Sequence, residues 1–461
     1  MEDQFFSIVI PAYKQAKYLA EAIQSVLNQT YPHFELIVVD DCSPDGTEQV
    51  VKQFEDSRII YLSHERNLGL SEARNTGIRA SRGDMIALLD ADDMFHPEKI
   101  QSHLDFLLAN PWIGVSYNSR FELNHSASTI REIHRIVRHV GLEDLLLGFP
   151  FAPSDMVIRR EWAFKVGMFS PEMKTAEDTD FPCRLALAGC EFDGIDRALN
   201  YRRYHSGRGR RNLQGRVDDV RRAQAAVFMD PRCPQRIRDL GPSAIKMHLL
   251  DIISLALIQE ETALAHQFLA QLVDVAPDVV KGCPCELVTF LLSSCIEDDS
   301  LDPEMILRRM FAQIPPFIRV SSQYNWALKR GWLWKAARAF IWGRQEAGQS
   351  YFDKAIELGS PADGIFLEQV TDQLIAYSKE FGNEEVLRIL SDLAPYLNRL
   401  SGRAGSNLKS TYLVNIAFDR YHSGNRKSVP ALVFEALLGD PSYITNRGVL
   451  SILMRSLAHS L

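Results

Sequence analysis

Four short apolar runs with β-forming character, three of them stopped by proline or aspartate, constrain this chain more than any other feature. Phe6 to Ile10 stops at Pro11, Glu35 to Val39 stops at Asp40-Asp41, and Met85 to Leu89 stops at Asp90-Ala91-Asp92-Asp93; Arg58 to Leu62 is the fourth run. Between them, Tyr18 to Leu27, Thr47 to Phe54 and Ser71 to Ala80 carry apolar residues at helical spacing, with Ser71 placed to act as an N-cap. Continuous apolar strands alternating with helices predict a mostly parallel sheet covered on both faces, a Rossmann-like α/β arrangement. Ligands of such sheets bind beyond the carboxyl ends of the strands. That edge is acidic here, which suits a bound cation better than a bare anion.

The pattern changes near Val217. From there the chain reads as helices punctuated by turns, which divides it into an α/β domain over 1–215 and an all-α domain over 216–461. Four segments, ending at Pro277, Pro361, Pro395 and Pro441, share a polar turn, an amphipathic helix and a proline break. Pro361 and Pro395 stand at the period of tetratricopeptide-like helical hairpins, although the other spacings do not match; an irregular bundle is the alternative. Trp326, Trp332, Trp334 and Trp342 fall in one stretch, as core or as a binding face.

A formal net charge of -8 argues against a nucleic-acid partner. Seven cysteines without regular spacing make a poor disulfide framework, and Cys283 and Cys285 lack a second pair for zinc. No basic leader precedes the first strand, and the run Leu249 to Ile258 is far shorter than the ~20 residues of a transmembrane segment. A cytoplasmic protein is expected, with loose attachment to the inner face of the membrane left open.

The acids suggest the chemistry. If the chain stays extended through Asp90, that side chain and Asp92 point the same way and can hold Mg2+ or Mn2+ through oxygen, leaving positions for phosphates. Such an ion would neutralise a departing diphosphate; a solvated acidic loop is the bland alternative. Further on, Glu177-Asp178-Thr179-Asp180 precedes Pro182. Thr179 as N-cap would put Pro182 in the first helical turn, where proline is tolerated, and leave Asp178 just outside the helix as a carboxylate able to take a proton from an attacking hydroxyl. Asp180 is the rival base, and complementing the helix dipole is the structural alternative. The run Tyr201-Arg202-Arg203-Tyr204-His205, with Arg208, Arg210 and Arg211, offers guanidinium forks suited to a diphosphate. A solvated basic loop, or a contact with an acidic acceptor or membrane, would look the same.

Taken together, SIVIPAY (Ser7 to Tyr13), ELIVVDDCSPDGT (Glu35 to Thr47), NLGLSEARNTGI (Asn67 to Ile78), GDMIALLDADD (Gly83 to Asp93) and AEDTDFPCRLALAG (Ala176 to Gly189) resemble a family 2 glycosyltransferase of the GT-A fold over roughly residues 5 to 210. The resemblance implies that Pro11, Ala12 and Tyr13 line a base pocket, that Asp41 bonds the base or ribose with Asp40 close by, and that Asp90 lies near ribose and metal. It implies Asp92 as the main metal ligand, Arg74 near the donor, Asn67 and Gly69 shaping a loop, and Asp178 as the base. A Tyr-Arg-x-His segment of the family would supply a histidine to metal or diphosphate; Tyr204 intervenes here, so the register of His205 is open. Cys42 stands where the family usually has glycine, which suggests a slightly different turn. Pro150 to Ser154 resembles the acceptor-side segment, with Phe151 and Trp162 able to stack on a sugar or to serve as core.

The leading expectation is an inverting transfer from a nucleotide diphosphate sugar, with UDP the expected nucleotide, to a glycan or lipid-linked glycan. A nucleotidyltransferase would need a glycine- and lysine-bearing phosphate loop where this chain has PAYKQAKYL. The other class is a non-catalytic nucleotide-sugar-binding scaffold whose helical half docks a protein partner.

Overall fold

A computed structural model describes residues 4–124, 129–148, 150–203, 212–296 and 302–458. The first half follows the predicted alternation: β1 (Phe6–Ala12), α1 (Ala16–Leu27), β2 (Phe34–Asp40), α2 (Thr47–Val51), β3 (Ile59–Ser63), α3 (Leu70–Ala80) and β4 (Met85–Leu88). It continues through β5 (Met94–Phe95), α4 (Lys99–Ala109), β6 (Ile113–Leu123), β7 (Ile130–His134), α5 (Leu142–Leu147), β8 (Met156–Arg159), α6 (Arg160–Lys165), α7 (Glu177–Leu187) and β9 (Glu191–Arg203).

The sheet runs β3-β2-β1-β4-β8-β6-β9-β5, with β7 beside β6. The four strands legible in the sequence, β1 to β4, are all parallel. Beyond them the sheet is mixed, because β8 enters antiparallel to both β4 and β6 while β6 and β9 are parallel. Alternation along β1 feeds both faces: Phe6, Ile8 and Ile10 pack with Leu19 and Ile23 of α1, whereas Val9 packs with Ile78 of α3 on the other side. α3 lies very close to β1. A Cβ added at Gly77 would come within 2.3 Å of Val9 Cγ1.

β1 does not stop at Pro11, as the sequence suggested, but pairs with β2 through Ala12. The proline acts on the other neighbour. Leu89 N–H donates to the Val9 carbonyl, and the next rung between these strands would need an N–H at Pro11, which proline lacks. The ladder between β1 and β4 therefore ends there, and the chain after β4 turns away into the acidic run.

From α8 (Leu213–Met229) the described chain is helical: α9 (Gln235–Arg238), α10 (Gly241–Ile258), α11 (Thr262–Val275), α12 (Glu286–Ile296), α13 (Pro303–Gln313), α14 (Tyr324–Ile341), α15 (Gln345–Glu357), α16 (Gly364–Phe381), α17 (Asn383–Ser401), α18 (Ala404–His422), α19 (Val429–Gly439) and α20 (Arg447–Ala458). Two compact units form, Met1–Phe290 with Ala312–Ile318, and Leu291–Phe311 with Arg319–Leu461. In the second unit Pro395 does not break a helix but lies inside α17. Leu390, Leu393 and Leu397 around it are buried, and their packing offsets the lost backbone bond. Among the tryptophans, Trp332 is buried, Trp334 meets Phe366 edge-on and Trp342 packs on Tyr377, so these form core rather than an exposed face. Gln235–Ile258 is long and apolar enough, with mean hydropathy 1.4, to pass as a membrane span by length and composition; half of it is buried within the fold.

Candidate active site

The end of β4 does not stay extended. Asp93 N–H donates to the Asp90 carbonyl, so Asp90 to Asp93 forms a tight turn and strand alternation no longer places the side chains. The turn nevertheless gathers the acids: one carboxylate oxygen from each of Asp90, Asp92 and Asp93 lies within 4.8 Å of the others. Two further groups hold the turn in place. Ser154, fully buried ahead of β8, accepts from Asp90 N–H at 3.1 Å and donates to Asp93 Oδ2 at 3.0 Å. Arg203, at the end of β9, donates its N–H to Asp93 Oδ1 and its Nε to the Asp92 carbonyl. An all-oxygen set of this kind fits a hard divalent cation.

The second acidic run lies at the start of α7. This helix begins at Glu177 rather than after Thr179, so Ala176 is the N-cap and Pro182 falls inside the helix. Proline has no N–H for the Asp178 carbonyl four residues back. The first turn is secured by side chains instead. Arg74 of α3 donates through Nη1 to Glu177 Oε1 at 3.0 Å and through Nη2 to Asp90 Oδ1 at 2.8 Å. Arg74 is 1% exposed. Burial works against its charge, but Asp90, Glu177 and the nearby Asp178 outweigh that, and the guanidinium holds its proton more firmly than usual. This residue, expected near the donor, is thus a buried strut joining the two acidic motifs.

The rest of the same α3 face explains the NLGLSEARNTGI motif. Ser71, expected as an N-cap, sits inside the helix behind Gly69 and donates to the Met173 carbonyl. Asn75 exchanges hydrogen bonds with the backbone of Phe169 in both directions. Residues 71, 74 and 75 share one face at helical spacing, and together they dock α3 to the segment leading into α7.

Asp178 and Asp180 then differ sharply. Asp180 is buried and held by the Arg184 fork at 2.9 and 2.7 Å. Asp178 is half-buried, and no described residue donates a hydrogen bond to its carboxylate.

At the neighbouring strand end, Asp40 accepts from Tyr61 Oη and Ser43 N–H. Asp41 is 2% exposed; its two oxygens take the N–H groups of Leu68 and Gly69 at 2.7 and 2.8 Å, and His64 Nδ1 lies 2.7 Å from Oδ1. Asn67 donates to the Asp41 carbonyl. In this structure the aspartate holds the loop 67–69, whose Gly69 has φ 93°. Cys42 has φ 57°, so the departure from glycine leaves the left-handed turn in place and strains the cysteine instead. Ala12 ends β1 opposite Asp40, and Tyr13 just beyond is 41% exposed.

Arg202 points away from Arg203, as strand alternation requires, and pairs with Glu122 at 3.4 Å. His205, Arg208, Arg210 and Arg211 lie outside the described residues. Phe151 is buried and stacked on Tyr117, which makes it core. Ser154 entered only as the end of the segment Pro150 to Ser154, with no sign of its hold on the acidic turn, and local patterning points to neither His64 nor Asp219, the last a buried α8 carboxylate that accepts from Lys174 N–H, Thr175 N–H and Thr175 Oγ1 at 2.9, 3.0 and 2.9 Å. Polar residues aligned with the strand ends are the only signal that could have raised the first two.

The model of glycosyl transferase family 2 matches residues 7–167. An uncharacterized glycosyltransferase of Haemophilus influenzae is 31% identical over 224 residues, covering 47% of this chain and 75% of that protein. The putative teichuronic acid biosynthesis glycosyltransferase TuaG of Bacillus subtilis is 38% identical over 195 residues, covering 42% and 76%. A UDP-Glc:alpha-D-GlcNAc-diphosphoundecaprenol beta-1,3-glucosyltransferase, WfgD of Escherichia coli, is 40% identical over 110 residues, covering 24% and 44%. With the family model seated on β1 through α6 and two relatives matched along 75% and 76% of their own length, the chain belongs to glycosyl transferase family 2 and is a glycosyltransferase of the GT-A fold.

Proposed function

We propose that the chain is an inverting hexosyltransferase that moves a sugar from a UDP-linked donor to a hydroxyl of a glycan or lipid-linked glycan. The observation that carries this reading is the Arg74 strut, which ties Asp90 to Glu177 and so sets the acidic turn beside Asp178, a carboxylate without a hydrogen-bond donor among the described residues. In the proposed reaction the acceptor oxygen attacks the anomeric carbon from the side opposite the diphosphate. The bond from that carbon to the diphosphate oxygen breaks, its electron pair leaves with UDP, and the acceptor proton passes to Asp178. A single displacement inverts the anomeric carbon.

Asp92 and Asp90, with Asp93 behind them, would hold Mg2+ or Mn2+. The ion's contribution when bound is to offset charge on the departing diphosphate. Pro11, Ala12 and Tyr13 are proposed to meet the base, Asp40 the ribose side, and Asn67 the donor through the loop that Asp41 shapes. His205 and Arg208 remain proposed diphosphate-side groups, whereas Arg202 pairs with Glu122 on the face away from the acidic turn and is not proposed to contact the donor. The E. coli relative WfgD, named for glucosyl transfer from UDP-Glc to a lipid diphosphate-linked sugar, supports the donor and acceptor classes named here.

The test pairs a thermal-shift panel of nucleotide sugars, with and without Mn2+, with UDP release from the donor that binds. Stabilisation that needs both UDP-sugar and Mn2+ is expected, and Asp178→Asn should keep that stabilisation while losing transfer. Normal transfer by Asp178→Asn would overturn the base assignment. A wild type that binds a nucleotide sugar with Mn2+ present but transfers it to no acceptor would favour the nucleotide-sugar-binding scaffold.

A further inference from the structure

The match to the family model ends at residue 167, yet the site draws on residues beyond that point. Asp219 of α8 holds Lys174 and Thr175, immediately ahead of the turn that carries Asp178. Arg216 is one turn earlier on the same face of α8, and its Nη2 lies 3.3 Å from Asp251 Oδ2 on α10. The loop into α7, Arg216 and Asp251 are therefore neighbours. The charges agree: burial raises the Asp251 carboxyl above its usual range, Arg216 opposes this, and the negative charge of Asp178 adds to it.

One turn back along α10 is His248, 6% exposed, and among the described residues neither of its ring nitrogens is hydrogen-bonded; Ser254, one turn forward, is buried with its hydroxyl equally unpartnered there. Each such unmade bond in a buried place is costly to a fold, so two of them, one turn to either side of a paired acid, ask for a partner from outside the chain. Burial, with Arg216 and Arg221 nearby, takes His248 down to about 3, which leaves a neutral ring with one donor and one acceptor. That combination matches a hydroxyl group, and a carboxylate can accept from two. Arg216 is already compensated by Asp251, so the wall suits a neutral polyol better than an anion.

We infer that α8 and α10 form the acceptor wall of the site, with Asp251 and His248 binding hydroxyls of a saccharide while Asp219 positions the loop of the base. This rests on the reading of Asp178 as the base.

The experiment uses the full chain with Mn2+, UDP-glucose and UDP-N-acetylglucosamine as donors and a set of p-nitrophenyl glycosides as acceptors, following UDP release. Asp251→Asn and His248→Phe should each raise acceptor KM at least tenfold while donor KM stays within twofold, with Asp251→Glu recovering part of the loss. Melting curves check that each variant is folded. An unchanged acceptor KM in both variants overturns the wall, as does a parallel rise in both KM values. A His248→Phe chain that melts higher with acceptor KM unmoved makes that histidine a core group and removes it from the wall. Donor consumption that no glycoside accelerates also counts against a saccharide acceptor here. The underlying reading fails separately, if the wild type consumes no donor or Asp178→Asn matches it.

Discussion

The two acidic clusters have nearly the same composition and are arranged in opposite ways. At the end of β4 a tight turn brings three carboxylates within 4.8 Å of one another. At the start of α7 the helix spreads its acids by about 100° per residue, so Glu177 and Asp180, one turn apart, are buried and salt-bridged while Asp178 is rotated out between them. A turn concentrates charge on a point, which suits a cation. A helix singles out one acid from a run, which suits proton transfer.

The largest expected effect comes from that contrast. Asp178→Asn should lower transfer by about 10²–10⁴-fold, the usual worth of a general base, whereas Asp180→Asn should act mainly through stability; single-turnover rates with matched melting curves separate the two. If Asp180→Asn loses transfer as fully as Asp178→Asn while remaining folded, the helix does not divide labour in this way.

Next is the strut between the clusters. Arg74→Met removes the guanidinium paired with Glu177, which is 2% exposed; breaking a buried pair typically costs about 3–5 kcal/mol. Arg74→Lys should recover only part, because one ammonium on a flexible stem cannot reproduce a planar fork aimed at two carboxylates. Chemical denaturation measures both. Full recovery by lysine would mean that charge alone joins the clusters.

A smaller effect probes the support behind the first cluster. Lys99 is fully buried and donates to Asn118 and to the Asp155 carbonyl, next to the Ser154 that holds the acidic turn. Burial, only partly opposed by Asp155, lowers its pKa from 10.5 to about 7. Between those values the unfolded chain carries a proton that the folded chain does not, so stability rises with pH across the interval, and below about 7 the group adds no slope. Relative to Lys99→Met, the wild type should gain at most about 1.4 kcal/mol per pH unit, read as a growing difference in melting temperature between pH 7 and pH 9. A constant difference would show that the lysine is not neutralised by the fold.

The smallest effect belongs to the turn at Cys42. Cys42→Gly removes a left-handed strain of about 1–2 kcal/mol, partly offset by the greater freedom of glycine in the unfolded chain. A rise of a few degrees in melting temperature is expected; a fall would mean that the Sγ contact with the Glu65 carbonyl outweighs the strain.

The sequence makes the first four strands, their order of helices and the acids at the strand ends legible, because each is a local pattern. The partners of those acids were hidden. Arg74 and Glu177 are separated by 103 residues, and nothing near either announces the other. Pro182 misled because the rule that places proline in a first turn considers the backbone alone, while the helix here is secured by Arg74 and Arg184. The antiparallel entry of β8 was equally out of reach, since Met156 to Arg159 is too short to declare a direction.

Pro11 sets one last property of the site. Where a ladder bond could form and break, a cleft would have closed and open states, and each ligand would first have to pull two strands apart. Between β1 and β4 no such bond exists beyond Leu89, so the gap is written into a covalent ring. On the proposed reading, a base bound at Pro11 to Tyr13 would meet strand ends that share no ladder bond, so neither its entry nor its release would have one to break or remake.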